Sequence, residues 1–173
     1  LIRLRNGEKV KNSFSRAEYA GRIAKLRAHM AAQQVDAVLF TSYHNINYYS
    51  DFLFCSFGRF YGLAVTHAKT TVIAANIDGA QPWRKAVADD ALTYTDWQRG
   101  NYFKAVAECI PDKGRVGIEF DHLPLERQAR IMRREGLTID SQTLWDQLDV
   151  LAGVLKPTCD ALARHVLEAE VVG

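Results

Sequence analysis

Val35-Asp36-Ala37-Val38-Leu39-Phe40-Thr41 is a short apolar run with polar ends, and it follows directly on a segment of helical spacing. Such a run is too short for a buried helix and has no strict alternation. It reads as a strand covered on both faces, which requires layers of helix on either side. The segment before it supplies one such layer. Ser15 stands three residues before Glu18, the spacing of a capping box, and Tyr19, Ile23, Leu26 and Met30 recur along one helical face. The pattern predicts a helix from Ser15 to about Gln34.

The same alternation continues along the chain. Strands are predicted at Leu63 to Thr66 and Thr71 to Ala74, joined tightly through His67 to Thr70, and then at Leu92 to Thr95, Arg115 to Glu119 and Leu137 to Ile139. Helices are predicted at His44 to Ser50, Pro82 to Ala88, Asn101 to Ile110, Leu123 to Glu135 and Thr143 to Leu151, with a last one after Pro157. Strands alternating with helices around one hairpin predict a single α/β domain, three-layer-like, with a mixed sheet of five or six strands. Leu26, Val38, Phe40, Ile73, Val116 and Ile118 belong to its predicted core. The organisation expected is an arm over 1–14, the domain over 15–153, and a linker with the start of a further domain over 154–173. Leu1 in place of Met, and a helical pattern that stops at Gly173, point to a piece of a longer protein.

Size and charge narrow the function. A chain of 173 residues, 48% of them apolar, supports one complete core and no second domain. Its 22 basic and 20 acidic residues leave a net charge of +2, too near balance for a nucleic-acid or membrane-surface binder. No apolar run approaches the roughly 20 residues needed to span a bilayer, and no secretory leader opens the chain. Three cysteines without CxxC spacing argue against a disulfide framework or a thiolate metal site and fit a reducing cytoplasm.

Few residues have the pattern of catalysts. The five histidines form no HxH or HExxH, and no GxSxG, Walker or GxGxxG motif occurs. Glu119, Asp121 and His122 follow a strand, where α/β folds often place sites; they read as a loop that caps the helix after it. The densest stretch is Ser42 to Arg59, with six aromatic residues among eighteen. Tyr48, Phe52 and Phe54 read as core. Phe57-Gly58-Arg59 can present a flat apolar face beside a fixed guanidinium, a pairing suited to a carboxylate and a methylated cationic nitrogen. The stretches Asn76 to Arg84 and Tyr94 to Tyr102 mix aromatic and polar residues at strand ends, as loop packing or as the wall of a cleft or interface.

FTSYHNINYYSDFLFCSFGR, ANIDGAQPWR, YTDWQRGNYF and GIEFDHL resemble the amino-terminal domain of the creatinases, within the creatinase, prolidase and aminopeptidase P family. The likeness runs from the RNGEKV arm to about residue 140 and weakens beyond. It implies an amino-terminal, dimer-forming and substrate-capping domain of a cytoplasmic homodimeric hydrolase that converts creatine to sarcosine and urea. It implies no metal and no cofactor. Catalytic residues would lie in a further "pita-bread" domain, so this chain holds none and should be inactive alone. The family's substrate-contacting phenylalanine and arginine match Phe57 and Arg59, which are expected to be exposed here and to meet a small guanidino acid. Phe60 stands where creatinases carry proline, a departure that bears on the rigidity of this loop. A metal-dependent Xaa-Pro dipeptidase and a non-catalytic dimerisation module are the alternatives.

Overall fold

The computed structural model describes residues 1–131, apart from 99, 120, 125, 126, 128 and 129, together with the backbone of 137–140. The helices expected at 143–151 and 158–173, and the boundary at 153, lie outside the described residues. The sheet has six strands: β1 (Ala37–Phe40), β2 (Gly62–Thr66), β3 (Thr70–Ala75), β4 (Asp90–Tyr94), β5 (Gly114–Ile118) and β6 (Leu137–Asp140). Their spatial order is β4-β3-β2-β1-β5-β6. Every pairing is parallel except those of β2 with β1 and with β3. Five strands therefore run one way and β2 alone runs back. The expected mixed sheet is present, and all six residues assigned to its core are buried.

Neighbouring residues on β1 show how the two faces are filled. Side chains alternate across a strand, so Leu39 and Phe40 point to opposite faces. Phe40 stacks on Tyr49 at 4.7 Å, in α2 (Tyr43–Ser50). Leu39 lies on the side of Tyr102, in α4 (Gly100–Cys109). There Gly62 permits a close approach: a Cβ at that position would sit 3.1 Å from the Tyr102 hydroxyl and 3.3 Å from Leu39 Cδ1. The α1 helix (Arg16–Ala32) buries Tyr19, Ile23, Leu26 and Met30, the stripe expected from their spacing. Only half of the expected capping box forms. Ser15 Oγ accepts from the Glu18 amide, while the Glu18 carboxylate takes Arg22 Nε at 3.0 Å. A five-residue helix, α3 (Gln81–Lys85), joins β3 to β4 and ends three residues sooner than Pro82 and its neighbours suggest. Among the described residues no helix is long and apolar enough to cross a membrane.

The arm is not a loose extension. Ile2 and Thr93 exchange two backbone hydrogen bonds of 2.8 Å, adding one rung to the outer edge of β4. Arg3 and Arg5 both donate to the Asp90 carboxylate, at 3.1 and 2.8 Å. Lys9 lies over the Trp83 ring at 3.7 Å and donates to the Ala86 carbonyl. Ser13 N–H and Asn12 Nδ2 donate to Asp51 at 2.8 and 3.1 Å. Burial works against ionisation of Asp51 and Asp90. The donors outweigh it and hold both carboxyls below their usual value.

A carboxyl held low in the folded chain contributes stability that is complete above its unfolded value, about 3.9, and is lost as pH falls through the folded value. Acid should therefore release the arm, with the Ile2 and Ser13 amide resonances moving to unfolded positions below about pH 3.9. Asp90→Ala should loosen the same residues at neutral pH and cost about 1.5–3 kcal/mol in denaturant unfolding. Arm resonances indifferent to both changes would contradict this role for the two carboxylates.

Candidate functional site

Because five strands are parallel, their carboxyl ends share one edge of the sheet, the usual place for sites in such folds. Thr41 and Ser42 follow β1 there, Asn76 to Asp78 follow β3, Asp96 follows β4, and Glu119 and His122 follow β5. The segment 51–61 returns along this edge to enter β2.

Glu119 is 2% exposed and binds five donor groups. These are the backbone N–H and hydroxyl of Thr41, the backbone N–H and hydroxyl of Ser42, and Asn45 Nδ2 at 2.6 Å. Ser42 is the N-cap of α2, and its Oγ also accepts from the Asn45 amide. The carboxylate thus sits at the positive end of α2, where a negative charge is favoured. The expectation that Glu119 serves the helix after it is corrected: its side chain caps a helix from another part of the chain. Thr41 gives its one hydroxyl proton to Glu119 at 3.2 Å, so its oxygen takes the Nδ1 proton of His122 at 3.1 Å. Thr41, Glu119 and His122 therefore form an anchored cluster, with no nucleophile–base pair in it.

The α2 helix ends at Asp51, which takes a left-handed backbone (φ 59°). Phe52 is buried, and Phe54 stacks on Tyr61 at 4.0 Å and meets Tyr43 edge-on at 5.4 Å. Tyr48 and Phe54 pack against the core, as their positions in the sequence suggest. Then the chain turns sharply. Arg59 N–H donates to the Ser56 carbonyl at 2.7 Å, with φ of 41° at Phe57 and 76° at Gly58. Two positive values in sequence make this a type I′ turn, whose first central position favours Asn, Asp or Gly. A phenylalanine there costs about 1–2 kcal/mol in backbone strain. Its side chain is 80% exposed, so burial offsets none of that cost.

Arg59 differs from expectation. Its side chain is 28% exposed and donates from Nε to Asp96 in a close ion pair. The Arg59 guanidinium holds the Asp96 carboxyl below the usual range. The chain therefore tethers this arginine before any ligand arrives. Nothing in the spacing of Arg59 and Asp96 announced the pair, because they lie on separate loops.

Arg59 stands between two clefts. The smaller, about 190 Å³, is bounded by Phe57, Phe60, Tyr94 and Asp96. The larger, about 470 Å³, is bounded by Thr41, Tyr43, Tyr61, His122 and Arg127 among others. Phe60 separates them, its N–H donating to the Tyr94 hydroxyl at 3.0 Å. Tyr61 donates to Asp78 at 2.7 Å and is raised by burial and by that carboxylate. Leu53, Ile77 and Trp97 are exposed at the same edge. The tryptophans of the two aromatic stretches left open by sequence differ: Trp83, of the first, packs under the arm, whereas Trp97, of the second, is 89% exposed at this edge. Among the described residues no three His, Cys, Asp or Glu side chains gather as a metal site would.

Two substitutions separate what holds this edge from what it displays. Glu119→Ala orphans the backbone amides of Thr41 and Ser42 and should cost about 2–6 kcal/mol in denaturant unfolding, at 1–3 for each unsatisfied group. Phe57→Asn relieves the left-handed strain and should raise stability by up to about 1 kcal/mol. A Phe57→Asn chain less stable than the parent would mean that the phenyl ring packs where the structure shows it exposed.

The Creatinase/Prolidase N-terminal domain family matches residues 22–150. Over 129 residues the chain is 47% identical to a creatinase from Bacillus sp. (strain B-0618), which takes in 72% of this chain and 31% of that protein. The chain thus spans about a third of that relative's length. A proline dipeptidase from Streptococcus pneumoniae TIGR4 superposes with a TM-score of 0.65 at 19% identity, over 75% of this chain and 97% of its own. The creatinase/prolidase N-terminal domain of an X-Pro dipeptidase from Streptococcus pyogenes gives 0.61 at 17%, over 73% and 97%. At such identities the two structures share the fold, while the sequence match spans β1 to β5 and every loop of the carboxyl edge; the chain belongs to the creatinase/prolidase N-terminal domain family.

Proposed function

We propose that this chain is the dimer-forming, substrate-capping domain of a creatinase-like hydrolase, with the catalytic groups on a further domain. The reaction is addition of water across the guanidino carbon–nitrogen bond of creatine, giving sarcosine and urea. The observation that carries this reading is the Phe57–Gly58–Arg59 turn. It holds an aromatic ring in solvent at a cost in backbone strain, beside an arginine fixed by Asp96. Strain kept at an exposed position with no packing return is a mark of function. A planar guanidinium takes a carboxylate in a two-pronged bond, and a phenyl face takes a methylated cationic group. Creatine has both. The 47% identity to a creatinase supports this substrate over the Xaa-Pro dipeptides of the structural neighbours, which share under 20% of their residues with the chain.

In this reading Phe57 and Arg59 close over a substrate bound by the catalytic domain of the other subunit of a homodimer, and the exposed Leu53, Ile77 and Trp97 lie in that contact. The chain alone releases no urea from creatine. In the full-length protein, Arg59→Ala should lower kcat/KM for creatine by roughly ten- to a hundredfold, as loss of a hydrogen bond to a charged group does. Arg59→Lys should restore part of it, since an ammonium cannot reproduce the fork. Unchanged creatine kinetics in Arg59→Ala, or turnover by the isolated 173-residue chain, would sink the reading.

A further inference from the structure

The larger cleft has a second guanidinium that the creatine reading does not use. Arg127 lines it together with Arg59 and the His122 imidazole; none of the described residues that line it is an aspartate or glutamate, and the one carboxylate paired with Arg59, Asp96, lies in the smaller cleft. Arg127 is held there by an aromatic face: its guanidinium lies 3.7 Å from the centroid of the Phe60 ring. Phe60 is itself fixed. Its ring meets Tyr102 and Phe103 edge-on at 5.4 and 6.3 Å, and its backbone N–H and carbonyl both bond the Tyr94 hydroxyl. A stacked guanidinium keeps its in-plane N–H groups available for an acceptor. His122 is likewise oriented, by Thr41. The cleft's 470 Å³ lies within the range of small-molecule sites.

We propose that this cleft binds a small dicarboxylate, one acid group on Arg59 and the other on Arg127, with Phe60 as the residue that positions Arg127. Arg59 keeps its two terminal nitrogens for a ligand while its Nε holds Asp96, Arg127 offers a second guanidinium, and one carboxylate accepts only one of them in two-pronged fashion. A ligand with two separated acid groups satisfies both, and a monocarboxylate leaves one unanswered. The inference shares only Arg59 with the creatine reading and does not need that reaction to occur.

The 173-residue chain, labelled with ¹⁵N, can be titrated with malonate and with acetate at constant ionic strength, following the arginine Nε–H resonances. Malonate should shift the Arg59 and Arg127 signals saturably and bind about tenfold more tightly than acetate, the factor for one further charge-assisted bond of modest strength. Arg127→Gln should reduce malonate to the acetate level, and Arg127→Lys should recover part of the difference. Phe60→Leu should weaken malonate binding while Phe60→Tyr retains it, a split that a merely space-filling residue would not give. Equal affinities for malonate and acetate, or malonate binding unchanged in Arg127→Gln, would overturn the proposal. Failure of the creatine reading looks different: the full-length protein would ignore creatine while malonate still titrated both arginines.

Discussion

A single buried carboxylate joins the parts of this domain that matter most to one another. Glu119 leaves the end of β5 and binds the turn between β1 and α2 through five donors. Parallel strands β1 and β5 are thereby tied at their carboxyl ends by more than their ladder. The start of α2 is fixed at the same time, and α2 decides where the 51–61 segment begins. A charge removed from water is costly unless its acceptor sites are filled. Here they are filled by groups that themselves need partners: two backbone amides, two hydroxyls and an amide side chain. Any displacement of the turn would orphan several of them together, so position at this edge is enforced cooperatively.

Downstream of that anchor, the edge spends stability on display. A left-handed phenylalanine, a nearly fully exposed tryptophan and an exposed isoleucine lie along the ends of β3, β4 and the returning loop. The same region is otherwise tightly made, with Phe52, Phe54 and Tyr61 in successive ring contacts. A rigid aromatic base beneath a strained exposed tip holds the tip without letting it collapse onto the domain. Reversal of β2 makes this possible. It delivers the loop to the carboxyl edge on the way into the sheet, where an all-parallel arrangement would bring a strand in from the opposite end.

Much of the sheet was legible because each strand declares itself locally. Val38 to Phe40, Leu63 to Val65 and Thr71 to Ala74 are short apolar runs, and the sheet buries all of them. The stripe of Tyr19, Ile23, Leu26 and Met30 was equally plain. What escaped were interactions between residues far apart in sequence. Glu119 precedes the helix expected over 123–135 but serves Ser42, 77 positions away. Asp96 reaches Arg59 across 37 positions, and Arg127 stacks on Phe60 from another element. No periodicity encodes such pairs, since they depend on which loops the topology brings to one edge. The Phe-Gly-Arg turn was half legible. Its pattern suggested a loop that presents a ring beside a guanidinium, but only the backbone angles showed that the phenylalanine shares the left-handed conformation of its glycine.

The arm also bears on the order of events during folding. Its rung on β4 joins residues 91 positions apart, and its arginines reach Asp90 across comparable distances. Closing so long a loop is entropically unfavourable until both ends have something to gain. Neither Asp90 nor Thr93 is in place before β3 has found β4. The arm is thus among the last segments to settle, and until it does the outer edge of β4 is an open template for another strand. Self-association of the nascent domain would begin at β4, and the arm ends that exposure when it docks.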